Sequence, residues 1–113
     1  MRRNLLIFTG ILLLALPQFL FAQSRTVAVL TPFLAQPGTQ LMVEGFEAAA
    51  TSKGWQVDVI DTSGDVAALV SRMEDVALQK VDAMLINVDP SQIRNGLLAA
   101  KDAGIPVFGM DSG

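Results

Sequence analysis

Histidine and cysteine are both absent from the 113 residues. The commonest metal ligands, the imidazole base and the thiol nucleophile are therefore missing, and neither an enzyme nor a cofactor-dependent protein is expected. Without cysteine there is no disulfide framework and no lipid anchor carried on a thiol. Glycine-rich phosphate cradles are lacking as well: after the first strand-like run, residues 31–39 read TPFLAQPGT, which fits neither a P-loop nor a dinucleotide fingerprint. Basic charge is scarce, with eight Lys/Arg against eleven Asp/Glu. No basic stripe stands out, so nucleic acid is not an expected partner. Glu44 and Glu47 are three apart on a helical pattern, but a solvated helix face accounts for them better than an acid/base pair does.

What the chain does have is apolar: 51% of its residues are hydrophobic and 17% charged, which fits one compact domain and excludes disorder. Part of that excess is not core. Residues 1–22 read as a secretory leader: Arg2 and Arg3, the apolar run from Leu5 to Leu16, a break at Pro17-Gln18, and a small residue, Ala22, at the cleavage point. A retained membrane anchor would need about 20 uninterrupted apolar residues. The expected organisation is a leader over 1–22 and one domain over 23–113, exported to the periplasm or cell envelope. Removing the leader takes two bases and no acids, leaving six Lys/Arg against eleven Asp/Glu, a formal charge of −5.

From Thr26 onward strand-like and helix-like patterns alternate. Residues 26–30 (TVAVL) suit a buried parallel strand. A turn-rich loop follows, with Phe33 in a possible mouth position, and then a helix over about 39–54 with the stripe Leu41/Met42, Gly45/Phe46 and Ala49. Residues 55–60 give a second strand and 61–65 a polar turn ending in Asp65, an N-cap for the stripe Val66, Leu69, Val70, Met73, Val76 and Ala77. Residues 81–88 (VDAMLINV) read as a strand covered on both faces. Asp89, Pro90 and Gln92 form a capping-box pattern for a third helix, whose inner face is Ile93, Leu97 and Ala100 and whose C′ residue is Gly104. A fourth strand runs over 105–110, with Pro106 at its start.

Four strands joined by three helices imply right-handed crossovers and an α/β, doubly wound parallel sheet, β-α-β-α-β-α-β. Ligands of such sheets bind beyond the carboxyl ends of the strands, where strand order reverses. Polar residues stand at all four ends: Thr31; Asp61-Thr62-Ser63; Asn87 with Asp89; Asp111-Ser112. Their amides and carboxylates could bind the hydroxyls of a neutral solute. Turns and caps use the same residue types, which explains Asp65 and Asp89 better; on position alone both readings stay open for Asn87 and Asp111.

Taken in order, these segments resemble the ribose-binding-protein-like family of periplasmic sugar-binding proteins over nearly all of residues 26–112. The likeness rests on EGFEAAATSKGW, DVIDTSGD, LINVDPSQI and AGIPVFGMDS at the family's spacing. It implies reversible capture of a small solute, a sugar, between two hinged lobes, and delivery to a membrane ABC permease or a chemoreceptor. It also implies that this chain is an incomplete first lobe, with the second lobe missing. The family's sugar-contacting Asn and Asp fall on Asn87 and Asp111. Where ribose-binding members carry Asn-Pro-Phe-Phe this chain has Gln36-Pro37-Gly38-Thr39, which keeps a hydrogen-bonding side chain at Gln36 and loses the stacking aromatics. Ser112 stands where the family has a basic residue. The alternatives are the ligand-sensing domain of a lactose-repressor-type regulator or a chemoreceptor-linked binding protein. A regulator would need a helix-turn-helix where the leader sits. Of a small receiver-like or flavodoxin-like enzyme domain, the receiver would need clustered acids at the end of the first strand plus a phosphoacceptor Asp, and Thr31-Pro32-Phe33 supplies none.

Overall fold

The apolar run after Arg25 folds as β1, Thr26–Thr31, with every residue but the first buried. The structure is a computed structural model and describes residues 24–111; the leader expected over 1–22 and the site residue expected at Ser112 lie outside them. The further strands are β2 (Gln56–Asp61), β3 (Ala83–Ile86) and β4 (Val107–Gly109), and the helices are α1 (Pro37–Ser52), α2 (Val66–Leu78) and α3 (Arg94–Asp102). All strand pairs are parallel and the order is β2-β1-β3-β4. The chain thus runs from β1 outward to β2, crosses back over β1 to β3, and continues to β4. This is the expected doubly wound α/β sheet, with its order reversing between β1 and β3.

Successive side chains of a strand point to opposite faces, and here the two faces are covered unequally. Ala28 and Leu30 of β1 and Met84 and Ile86 of β3 form one core with Leu69, Met73 and Val76 of α2 and with Ile93 and Ala100. On the other face, among the described residues, α1 is the packed helix, beside an open apolar cavity of about 420 Å³ lined by Val27, Leu85, Phe46, Trp55 and Phe108. The expectation that β3 is covered on both faces is therefore corrected: Met84 and Ile86 are buried, whereas Ala83 and Leu85 are half-buried. β3 and β4 are also shorter than their apolar runs. Val81, Val88 and Ile105 remain buried without joining the ladder, because burial and strand pairing are separate requirements.

The helices show where sequence punctuation holds and where it does not. Asp65 caps α2 as expected, its carboxylate accepting from the Ala68 N–H at 2.9 Å. Asp65→Ala is expected to cost about 1 kcal/mol in urea unfolding; an unchanged midpoint would show the cap to be idle. Gly104 closes α3 with φ +71, the left-handed conformation expected of a C′ residue. The capping box at Asp89 is corrected. Asp89 caps a short 3₁₀ turn, Pro90–Gln92, and α3 starts at Arg94, so Gln92 sits inside the turn and cannot serve as the helix's third residue.

The α1 stripe is corrected too. Its buried residues are Thr39, Val43 and Ala50, with Phe46 half-buried, while Leu41 is 70% exposed and Gly45 and Ala49 lie on the exposed side. The helix begins two residues earlier than expected, at Pro37 behind Gln36, and is turned so that a threonine faces inward.

Candidate functional site

The carboxyl ends of the strands form one edge, and the structure places each expected polar residue there differently. Thr31 is fully buried, and its hydroxyl accepts from the Phe33 N–H at 3.0 Å. Its carbonyl also accepts from Thr62 N–H at 3.0 Å. Thr31 is therefore committed to shaping the loop. Phe33, expected in a mouth position, is partly buried against the α2/α3 core.

The polar turn after β2 is occupied with itself. Asp61 accepts from Ser63 N–H at 2.9 Å and the Thr62 hydroxyl donates to the Asp65 carbonyl at 2.8 Å. Gly64 N–H donates to the Pro32 carbonyl at 2.7 Å, tying this turn to the loop after β1. These bonds tie the turn to itself and to the loop after β1; it follows β2, the edge strand on the β1 side of the switch.

Asn87 follows β3 at that switch. It is half-buried, and its Nδ2 donates to the Thr39 hydroxyl at 3.4 Å, a long bond reaching across 48 residues to the first turn of α1. Its Oδ1 is buried with no hydrogen-bond donor among the described residues. An acceptor in that condition costs about 1–3 kcal/mol.

β4 lies beside β3, with Ile86 paired to Gly109 and Met110 N–H donating to the Ile86 carbonyl at 2.6 Å. Asn87 and Asp111 therefore leave neighbouring strands at the same edge. Asp111 is exposed and takes φ +46, a left-handed conformation that short polar residues tolerate. Gln36, the residue before α1, is exposed and makes no side-chain capping bond, so its amide is uncommitted. It stands three residues before Thr39, the partner of Asn87. Asn87 and Asp111 thus follow the adjacent strands β3 and β4, and Gln36 precedes the helix whose Thr39 meets Asn87. Sequence reasoning missed Thr39, although a threonine in phase with Val43 and Ala50 was a signal.

Asp89 is used for structure. The hydroxyl and then the N–H of Ser91 donate to it and hold its carboxyl below the usual carboxylate range. A lowered folded-state pKa means that this cap stabilises above the ordinary carboxylate pKa and is lost as pH falls through the folded value. A carbon-13 NMR titration should show the Asp89 midpoint below those of exposed carboxylates, with Ser91→Ala moving it back up. A midpoint unaffected by Ser91→Ala would remove the stated cause.

Among the described residues no cluster of three His, Cys, Asp or Glu could hold a metal ion. No described helix is long and apolar enough to cross a membrane.

The chain is similar over most of its length to known proteins. A family model described as periplasmic binding protein domain matches residues 27–113. The ribose import binding protein of Bacillus subtilis is 32% identical over 87 residues, which are 76% of this chain and 28% of that protein. A periplasmic solute binding protein of an ABC transporter from Actinobacillus succinogenes, with bound D-allose, superposes with TM-score 0.68 at 26% identity, over 78% of this chain and 32% of that one. An ABC transporter solute binding protein from Mycobacterium smegmatis, with bound glycerol, gives TM-score 0.72 at 22% identity, over 78% and 31% of the two chains; it shows the likeness of fold. The chain thus spans about a third of the length of the relatives it matches. Each of these relatives is a binding protein and none is an enzyme.

Proposed function

This chain belongs to the periplasmic binding protein domain family, and from that premise we propose that it binds a small polyhydroxylated solute, a sugar or polyol, at the edge carrying Gln36, Asn87 and Asp111. The observation that carries the reading is that Asn87 and the exposed Asp111 leave the neighbouring strands β3 and β4 at the carboxyl edge beside the switch point. A sugar hydroxyl both donates and accepts, as an amide does, and the carboxylate of Asp111 can accept two hydroxyl protons. The ribose-import relative and the relative with bound D-allose support a sugar as the solute. Ser112 follows Asp111 directly and is assigned to the same contact set.

In this reading residues 1–22 direct export, and the mature domain works outside the cytoplasm as the binding component of an ABC-type importer. A second lobe closes over the solute, and the closed form is handed to a membrane permease or a chemoreceptor. The edge of a single sheet touches only one side of a ligand and leaves the other in water, so the affinity of the 113-residue chain itself is low, with a Kd on the order of millimolar.

An NMR titration of the chain with D-ribose and D-allose tests this. The expected shifts fall on Gln36, Asn87 and Asp111, and Asp111→Ala weakens binding about ten-fold, as loss of a charged hydrogen bond should. Shifts confined to other surfaces, or sub-micromolar binding by this chain, would sink the proposal.

A further inference from the structure

Parallel sheets are normally covered on both faces, yet among the described residues half of one face is bare. Leu85 of β3 and Phe108 of β4 are register partners, and both line the open apolar cavity of about 420 Å³ with Val27, Phe46 and Trp55. Phe108 is 57% exposed. The chain enters the sheet on the rim of this cavity, whose walls also include Arg25 and Asp82. Two bonds fix that entry: Gln56 N–H donates to the Arg25 carbonyl at 2.8 Å, and Thr26 N–H donates to Asp82 Oδ2 at 2.8 Å.

We propose that Phe19-Leu20-Phe21, at the end of the expected leader, docks in this cavity and covers the bare face in the uncleaved chain. Outside the described residues the chain holds residues 1–23 and Ser112-Gly113, and apolar side chains occur only in the first stretch. Phe21 precedes Arg25 by four residues, a reach of at most about 14 Å. Residues 17–24 (PQFLFAQS) carry no charge, so docking them brings no ion into an apolar cavity. Their attachment to β1 gives an effective concentration on the order of millimolar, which a separate partner in dilute solution lacks. Removal of residues 1–22 then uncovers Leu85 and Phe108, and the face is free for another element. The inference is independent of the solute reading. Arg25, Trp55, Asp82 and Pro106 each precede a strand, so the cavity opens at the amino ends of the sheet, away from Asn87 and Asp111.

Trp55 is the single tryptophan of the chain and lines the cavity, so its fluorescence reports the cover directly. The test compares the 113-residue chain with a variant carrying Phe19→Ser, Leu20→Ser and Phe21→Ser. A control carries Leu12→Ser, Leu13→Ser and Leu14→Ser, a similar loss of apolar surface farther from Arg25. The first variant should raise the acrylamide quenching constant of Trp55 at least about two-fold and shift its emission to longer wavelength, as uncovering an apolar patch requires. The control should match the parent. Neither variant alters a described residue, so the far-ultraviolet circular dichroism of the folded domain serves as the check that all three chains are folded. Equal quenching in the parent and the first variant, or equal increases in the two variants, overturns the proposal. So does protection of Trp55 in the parent that fades over a roughly hundred-fold dilution, since a contact within one chain does not depend on concentration and a second copy on the face does.

Discussion

Leu69→Ala is expected to lower the free energy of unfolding by about 3 kcal/mol, within the range of 2–5 found for large-to-small changes in packed cores. Leu69 is fully buried on the inner face of α2, within the cluster that contains Ala28, Leu30, Met84 and Ile86 of the sheet. Its truncation removes apolar contact and leaves a cavity that the flanking strands cannot collapse into, since β1 is held by ladders on both sides. Domains of this size have about 5–15 kcal/mol in total, so roughly a fifth to three-fifths of the stability would go. Urea unfolding should show a lower midpoint at an unchanged slope. Leu78→Ala supplies the control. The same residue type nine positions later on the same helix is 83% exposed and should change stability by less than about 0.5 kcal/mol. Equal effects from the two would contradict the placement of α2.

Gly96→Ala is expected to destabilise by about 1–2 kcal/mol, against the sign of helix propensity, which favours alanine by about 1 kcal/mol. Gly96 is buried in α3 where it crosses α2. A Cβ there would stand 2.6 Å from Sδ, 3.0 Å from Cβ and 3.1 Å from Cε of Met73. The sulfur and the terminal methyl could swing aside in an open site, but Met73 is itself fully buried, and its Cβ moves only with its helix. Overpacking then forces the two helices apart. The check is a double-mutant cycle. In a Met73→Ala background Sδ and Cε are gone and only the 3.0 Å contact with Cβ remains, so Gly96→Ala should cost less than in the parent, a coupling of at least about 1 kcal/mol. Additive effects would mean that the close approach of α2 and α3 is not limiting.

The outcome for α1 shows what a sequence can and cannot say about a surface helix. Its existence was legible from the loop before it and the glycine after it, but its rotational phase was not. Leu41 and Met42 are more apolar than Thr39, yet they face solvent, because the inward face is chosen by where the helix enters and by what it meets. What it meets is Asn87, 48 residues away, and no local pattern contains that information. The α2 stripe was read correctly because its apolar residues outnumber any competing face. At Asp89 the local pattern had two solutions, a helix or a 3₁₀ turn, and the buried fit of Ile93 at the start of α3 accompanies the second. Asn87 and Asp111 were legible as candidates, since each follows a strand. That they leave adjacent strands follows from the order β2-β1-β3-β4.

By itself the sequence determined the alternation of strands and helices, the parallel sheet, the absence of thiol and imidazole chemistry, and the polar strand ends, because each of these is written in short-range pattern or composition. Tertiary structure alone decided which polar tips are committed to their own loops, which face of α1 turns inward, how closely α2 approaches α3, and that Thr39 meets Asn87. Those depend on packing and hydrogen bonding between residues far apart in the chain, and such interactions come into being only once the sheet has assembled.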